Sequence, residues 1–284
     1  MIREISDLVE MVFAQDETAK AYCRKIYRFF VSPKISTEIE TDIIQPLAMT
    51  MMDNNYELIP VLTQLLNSKH FYDLDDTDSN DEIIGALIKS PLELYTHITS
   101  FFDVSIPDPL VDPETHYNGW YKKVVLPIMF EFAGMTIFQP ESVAGYPAYY
   151  QAPGYSKNWF SGSSIIARYK TPEIFLTGER ILLNGSTGGV ALDIVEFVKK
   201  ANNFSDPSNS ELFVTEITDY LLPEMPTTER FNYFLNEVFL DNLSPLDWKY
   251  SWENYLISND PTAVQIPLEN LVKTLLSSQE FQCM

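Results

Sequence analysis

Two tetrapeptides limit what this chain can fold into more than any other feature. Ser90-Pro91-Leu92-Glu93 and Ser244-Pro245-Leu246-Asp247 each set a hydroxyl, a proline and then an acid at the third following position. A hydroxyl at the N-cap accepts from a backbone N–H that the helix leaves unpaired, proline suits the first helical position, and the acid reaches back to the cap. Each tetrapeptide predicts a helix start, and Thr171-Pro172-Glu173 and Asp260-Pro261 are weaker versions of it. Apolar residues recur at helical spacing: Ile5, Leu8, Val9, Val12 and Phe13; Tyr22, Ile26, Phe29 and Phe30; Phe231, Phe234, Leu235, Val238 and Phe239. The expectation is an all-α, multi-helical protein in which each stripe is buried. Only "EIFLTGERILLNGS" (173–186) leaves a short hairpin competing with a helix.

The sequence also echoes itself. "YELIPVLTQLLNSKHF" (56–71) aligns without a gap with "IPLENLVKTLLSSQEF" (266–281), matching Leu58 to Leu268, Leu65-Leu66 to Leu275-Leu276, Ser68 to Ser278 and Phe71 to Phe281. Upstream, "DLVEMV" (7–12) matches "DIVEFV" (193–198), and "KIYRFFVSP" (25–33) faintly matches "EITDYLLPE" (216–224). Two related helical halves are expected, 1–100 and 188–284, around a central irregular segment, 101–187, rich in aromatic residues and proline.

Composition narrows the function classes. With 40 acidic against 19 basic residues the formal charge is −21, which repels nucleic acid and anionic membrane surfaces. The longest apolar run, "VVLPIMFEFAGM" (124–135), is broken by Pro127 and Glu131 and reads as a buried helix, not a membrane span. "MIREISDLVEMVF" carries acids where a signal peptide is basic. Two cysteines, Cys23 and Cys283, make neither a disulfide framework nor a zinc pattern.

Candidate chemistry is sparse. His70, His97 and His116 have no helical ligand spacing, so no metal site and no cofactor are expected. No Gly-x-Ser-x-Gly elbow exists, and "SGSSI" (161–165) reads as a helix start running to Arg168. Asp76-x-Asp78-x-Asn80 opens like a calcium loop but has Asp81 where glycine is required and Leu87 where the bidentate Glu belongs. "NGSTGG" (184–189) offers backbone N–H groups to an anion but has no strand or Lys beside it. Among the acids, Glu131 on its apolar segment and Glu141 beside an aromatic stretch least resemble a solvated face, and they are the weak catalytic candidates for a paired-carboxylate glycan hydrolase. A buried Glu would have its pKa raised and could act as an acid.

The aromatic stretch, "SVAGYPAYYQAPGYSKNWFSGSSIIARYK" (142–170), crosses the middle of the chain. Aromatic rings with a polar edge suit stacking on sugars as well as burial. Tyr149, Tyr150 and Tyr155, with Lys157 at the rim, are the expected ligand-binding residues; Tyr146, Pro147, Trp159 and Arg168 are expected to be structural.

"VFAQDETAKAYCRKIYRFFV" (12–31), "LLNSKHFYD" and "IKSPLEL" (65–73, 88–94), "PESVAGYPAYY" with "WFSGSSIIARYK" (140–170) and "LLSSQEFQ" (275–282) together resemble the bacterial domain-of-unknown-function family numbered eighteen hundred. The resemblance is to the C-terminal part of the family's usual length. A Pro-Pro-x-x-x-Gly-Trp-Pro segment of the family, leading to a Trp and a run ending in Arg, corresponds to Gln139, Pro140, Gly145, Tyr146, Pro147, Trp159 and Arg168, with tyrosine in place of the first tryptophan. No catalytic residue comes with the family. Its members often look secreted, and their genes are commonly found beside those of sulfatase-like proteins, which implies a periplasmic or extracellular setting and glycan handling. The expectation is an uncharacterised extracytoplasmic binding or scaffold protein, carbohydrate-related, whose partners are carbohydrate or another envelope protein; the alternative is the glycan-active hydrolase.

Overall fold

The computed structural model describes residues 2–74, 83–177 and 192–284. Among the described residues the chain is all-α: strands are absent, and two isolated bridges pair Ile88 with Cys283 and Ser142 with Gly145. The helices are α1 Ile2–Phe13, α2 Asp16–Phe30, α3 Thr37–Ile39, α4 Gln45–Asp53, α5 Leu58–Leu66, α6 Pro91–Phe101, α7 Pro147–Tyr150, α8 Ser164–Thr177, α9 Ile194–Lys199, α10 Ser210–Leu221, α11 Thr228–Asn232, α12 Pro245–Ser258 and α13 Thr262–Leu276. Wider π-turns continue α3 over Glu40–Ile44, form the long helix Thr115–Glu131, and continue α11 over Tyr233–Phe239. The Asp76–Asp81 loop, the Gly-rich 184–189 segment and the second part of the hairpin candidate lie outside the described residues. Residues 173–177 are helical.

Contacts gather into two compact units, Met1–Leu87 with Tyr149–Ser156, and Ile88–Ala148 with Lys157–Met284. These boundaries differ from the sequence segments 1–100, 101–187 and 188–284, because α6 and the residues before it pack with the C-terminal helices.

In the first unit α2, α4 and α5 enclose Ala19, Cys23, Tyr27, Leu47, Met51, Val61 and Leu65. The predicted stripe of α2 is not the buried one: Tyr22, Phe29 and Phe30 are exposed and Ile26 is half-buried. Ala19 and Cys23 leave the room in which α4 packs, while the large rings turn sideways, Tyr22 toward Phe13 (6.4 Å between centroids) and Phe29 toward Tyr149 (5.8 Å). The stripe of α1 is exposed as well. Its end is tied down where Phe13 meets the Tyr56 ring at 4.6 Å and the Phe13 carbonyl accepts from the Tyr56 hydroxyl at 3.0 Å.

In the second unit α13 is central, with Val264, Leu268, Leu271, Val272, Leu275 and Leu276 all fully buried. α8, α9, α12 and the Tyr233–Phe239 π-turn surround it. Both predicted capping boxes form: the Ser90 hydroxyl accepts from Glu93 N–H at 3.2 Å and the Ser244 hydroxyl from Asp247 N–H at 3.2 Å, with each acid accepting from its cap's N–H. Thr171-Pro172-Glu173 does not start a helix; Pro172 lies inside α8, where the Thr171 hydroxyl donates to the Ala167 carbonyl at 3.0 Å. α8 is thus one helix from Ser164 through Arg168 to Thr177.

The two aligned segments end alike. After Leu66 and after Leu276 the next residue caps the helix, Ser68 and Ser278 N–H donate to Leu65 and Leu275 carbonyls at 3.1 and 3.0 Å, and the same serines' hydroxyls accept from Phe71 and Phe281 N–H at 3.1 and 3.2 Å.

Candidate functional site

The long π-helix sets one wall of a groove in the second unit. Its end is fixed by Gly134 at φ +92°, with Gly134 N–H donating to Glu131 O at 3.1 Å and Met135 N–H to Phe130 O at 2.9 Å. A glycine in the left-handed region closes a helix end without a Cβ penalty. The closing turn buries Met129, Phe130, Ala133 and Met135 and leaves Glu131 and Phe132 outward, Phe132 at 64% exposure.

A second tight turn follows. Gly145, at φ +98°, donates to the Ser142 carbonyl at 3.0 Å, and this turn delivers Tyr146, whose hydroxyl donates to the Thr136 carbonyl. The Tyr146 ring lies 5.9 Å from Trp159, which is buried with Met135 and Ala148. Asn158 donates from Nδ2 to the Pro147 carbonyl at 3.4 Å. Beyond Trp159 the serines of "SGSSI" tie the opposite wall together: the buried Ser164 hydroxyl donates to Trp159 O at 2.8 Å and accepts from Ser161 N–H at 2.7 Å, while the Ser161 and Ser163 hydroxyls are 3.1 Å apart.

These elements enclose about 370 Å³, lined by Glu131 and Glu141, the rings of Phe132, Tyr146 and Trp159, and Thr136, Gln139, Asn158, Ser161 and Ser163. Five residues that the sequence singled out separately, Glu131, Glu141, Tyr146, Pro147 and Trp159, therefore line one groove. Glu131 is exposed, not buried within its helix, because the helix ends at that residue; Glu141 is exposed too. Phe132 and Asn158 carry no signal of a site in the sequence, while Gln139 stands out there only through the family resemblance and Ser161 and Ser163 only as a helix start. Phe132 sits in an apolar run where only the helix end shows which ring turns outward. A second cleft of about 970 Å³ passes Tyr169, Tyr233 and the Arg230–Glu280 ion pair (2.9 Å).

None of the four expected ligand residues, Tyr149, Tyr150, Tyr155 and Lys157, lines the groove. Tyr149 and Tyr150 are exposed in the first unit; Tyr155, in the same unit, is half-buried with the Arg28 guanidinium 4.9 Å from its ring centre. Lys157 is exposed in the second unit.

Arg168 is fully buried in the second unit. It donates to the Lys89 carbonyl at 2.5 Å and to Gln282 Oε1 at 2.9 Å, and stacks 4.9 Å from the Phe160 ring. Lys89, also buried, donates from Nζ to the Phe281 carbonyl at 2.6 Å. Desolvation depresses both cations, Lys89 to about 8 and Arg168 to about 10. Burial, with the Lys89 charge nearby, lowers the His97 imidazole to about 4; its ring lies 4.9 Å from Phe281. His70 bonds the Tyr27 hydroxyl at 2.8 Å and His116 the Pro107 carbonyl at 2.6 Å, so each of the three histidines sits in a separate setting. Among the described residues no group of three or more His, Cys, Asp and Glu side chains could hold a metal ion.

The model of one protein family, described as "Protein of unknown function (DUF1800)", matches residues 1–283. The chain belongs to this family. The Tyr146 and Arg168 positions that carry the resemblance thus sit, respectively, in the groove and in the buried anchor beneath the C-terminal residues. No curated protein and no solved structure matches the chain. Among the described residues no helix is long and apolar enough to cross a membrane.

Proposed function

We propose that the protein is a non-catalytic binding module of a periplasmic or extracellular setting, and that its ligand is a carbohydrate held in the groove of Glu131, Phe132, Glu141, Tyr146 and Trp159. The observation that carries this reading is the exposed Phe132 face set among carboxylate, carboxamide and hydroxyl side chains in one concave site. A flat apolar ring stacks on the C–H face of a pyranose, while the polar groups exchange hydrogen bonds with its hydroxyls.

The groove also brings two carboxylates together, as a glycan hydrolase requires. Binding is favoured over hydrolysis because a glycosidase acid is held protonated by burial, and both Glu131 and Glu141 are exposed. We read the two sequence halves as products of an internal duplication, which the matching Ser68–Phe71 and Ser278–Phe281 turns support.

The test is a glycan-array measurement on wild type, Phe132→Ala and the Tyr149→Ala, Tyr150→Ala double variant. Wild type and the double variant are expected to bind the same glycans, and Phe132→Ala to bind roughly tenfold more weakly. Binding to nothing, or equal binding by Phe132→Ala, sinks the reading. Release of reducing ends that Glu131→Gln abolishes would replace it with hydrolysis.

A further inference from the structure

Two carboxylates, Glu131 and Glu141, line the groove, and no Lys, Arg or His stands among its described lining residues. Elsewhere three half-buried acids are ion-paired: Glu40 with Arg24 at 2.6 Å, Glu173 with Lys170 at 3.2 Å and Glu280 with Arg230 at 2.9 Å. Among the described residues no ion pair engages Glu131 or Glu141. A neutral sugar entering this site can donate hydroxyls to both carboxylates but leaves their two negative charges uncompensated. A ligand carrying an ammonium group makes the same hydrogen bonds and adds ion pairing to them.

The rest of the site suits a sugar ring as the carrier of that charge. Phe132 and Tyr146 offer aromatic faces that attract both C–H groups and cations. Gln139, Asn158, Ser161 and Ser163 match hydroxyl groups. The volume, about 370 Å³, lies near the lower end of the roughly 300–1,000 Å³ typical of ligand pockets and fits a short saccharide. The formal charge of −21 adds a long-range field that gathers cations and turns away sulfated or uronic sugars.

We propose that the groove selects an amino sugar, a glucosamine-type residue with a free ammonium group, whose charge is met by Glu131 and Glu141. This rests on the saccharide reading of the groove and specifies its ligand.

Calorimetric titration of the full chain with the β-1,4-linked glucosamine trimer, its N-acetylated counterpart, a neutral glucose trimer and trilysine separates the two claims. Acetylation removes the charge and keeps the ring. The glucosamine trimer is expected to bind about tenfold more tightly than the acetylated one, a preference that shrinks at ~1 M salt, where screening reaches about 3 Å. Glu131→Gln and Glu141→Gln, which keep side-chain shape, should each bring the two affinities toward each other. Equal binding of both trimers overturns the amino-sugar proposal and leaves the saccharide reading standing. Trilysine binding as tightly as the glucosamine trimer overturns the proposal too, because charge alone would then suffice. Binding of no sugar at all overturns both.

Discussion

Arg168 shows how much one side chain can hold in this protein. Its guanidinium spans the Lys89 carbonyl and the Gln282 carboxamide without solvent contact, and its Nε has no partner among the described residues. Arg168→Ala orphans both acceptors and opens a cavity, so a loss of about 3 to 5 kcal/mol in urea unfolding is expected. Arg168→Met, which refills the space, should recover part of that loss. A variant as stable as wild type would show that the anchor contributes nothing.

His97 carries a different prediction. Its folded pKa of about 4 lies below the ordinary 6.5, so between those values the unfolded chain binds a proton that the folded chain does not. Stability contributed by this group is therefore complete above about 6.5 and falls as pH drops toward 4. In His97→Phe the fall across that window should be shallower than in wild type, read from urea midpoints at several pH values; parallel curves would contradict it.

At the scale of the element, sequence and structure part company in an instructive way. The capping boxes at Ser90 and Ser244 were legible because every atom they need lies within four residues. The burial of stripes was not. "DLVEMV" and "DIVEFV" have one pattern and opposite fates: Leu8, Val9, Met11 and Val12 are 54, 49, 59 and 43% exposed, while Ile194, Val195, Phe197 and Val198 are 2, 4, 7 and 1% exposed. Periodicity says which face of a helix is apolar, whereas burial depends on whether another helix covers it, as α13 covers α9. Val198→Ala should therefore cost about 1 to 2 kcal/mol and Val12→Ala less than about 0.5 kcal/mol. Equal losses would mean that α1 is covered in solution. Pro172 misled for a related reason. A proline that fits the first turn of a helix also persists inside one where packing outweighs the lost bond, as it does in α8 between the buried Thr171 and Ile174.

Across the whole molecule the all-α class and family membership follow from short-range signals, but the groove required the fold. Glu131 and Glu141 stood out as acids in unusual company, and Tyr146 and Trp159 as aromatics. That they share one surface depends on two glycine turns, at Gly134 and Gly145, that reverse the chain between them. Charge acts at this scale too. A formal charge of −21 repels itself in the compact state, so raising salt from ~0.01 to ~0.15 M, which shortens the screening length from about 30 to about 8 Å, should raise the melting temperature. A fall would mean that pairs such as Arg24–Glu40 outweigh the repulsion.

The anchor beneath the C-terminal residues has a temporal side. Lys89 Nζ meets a carbonyl 192 positions further along the chain, and Arg168 a side chain 114 positions further. A ribosome adding about 5 to 20 residues per second takes roughly 10 to 40 s to cover the longer interval. Until residues 281 and 282 are made, each cation that ends up buried stays hydrated once it is synthesised, and the core around α13 is incomplete. The second unit thus closes only once residues 281–282 have been made and drop onto residues that have waited for them.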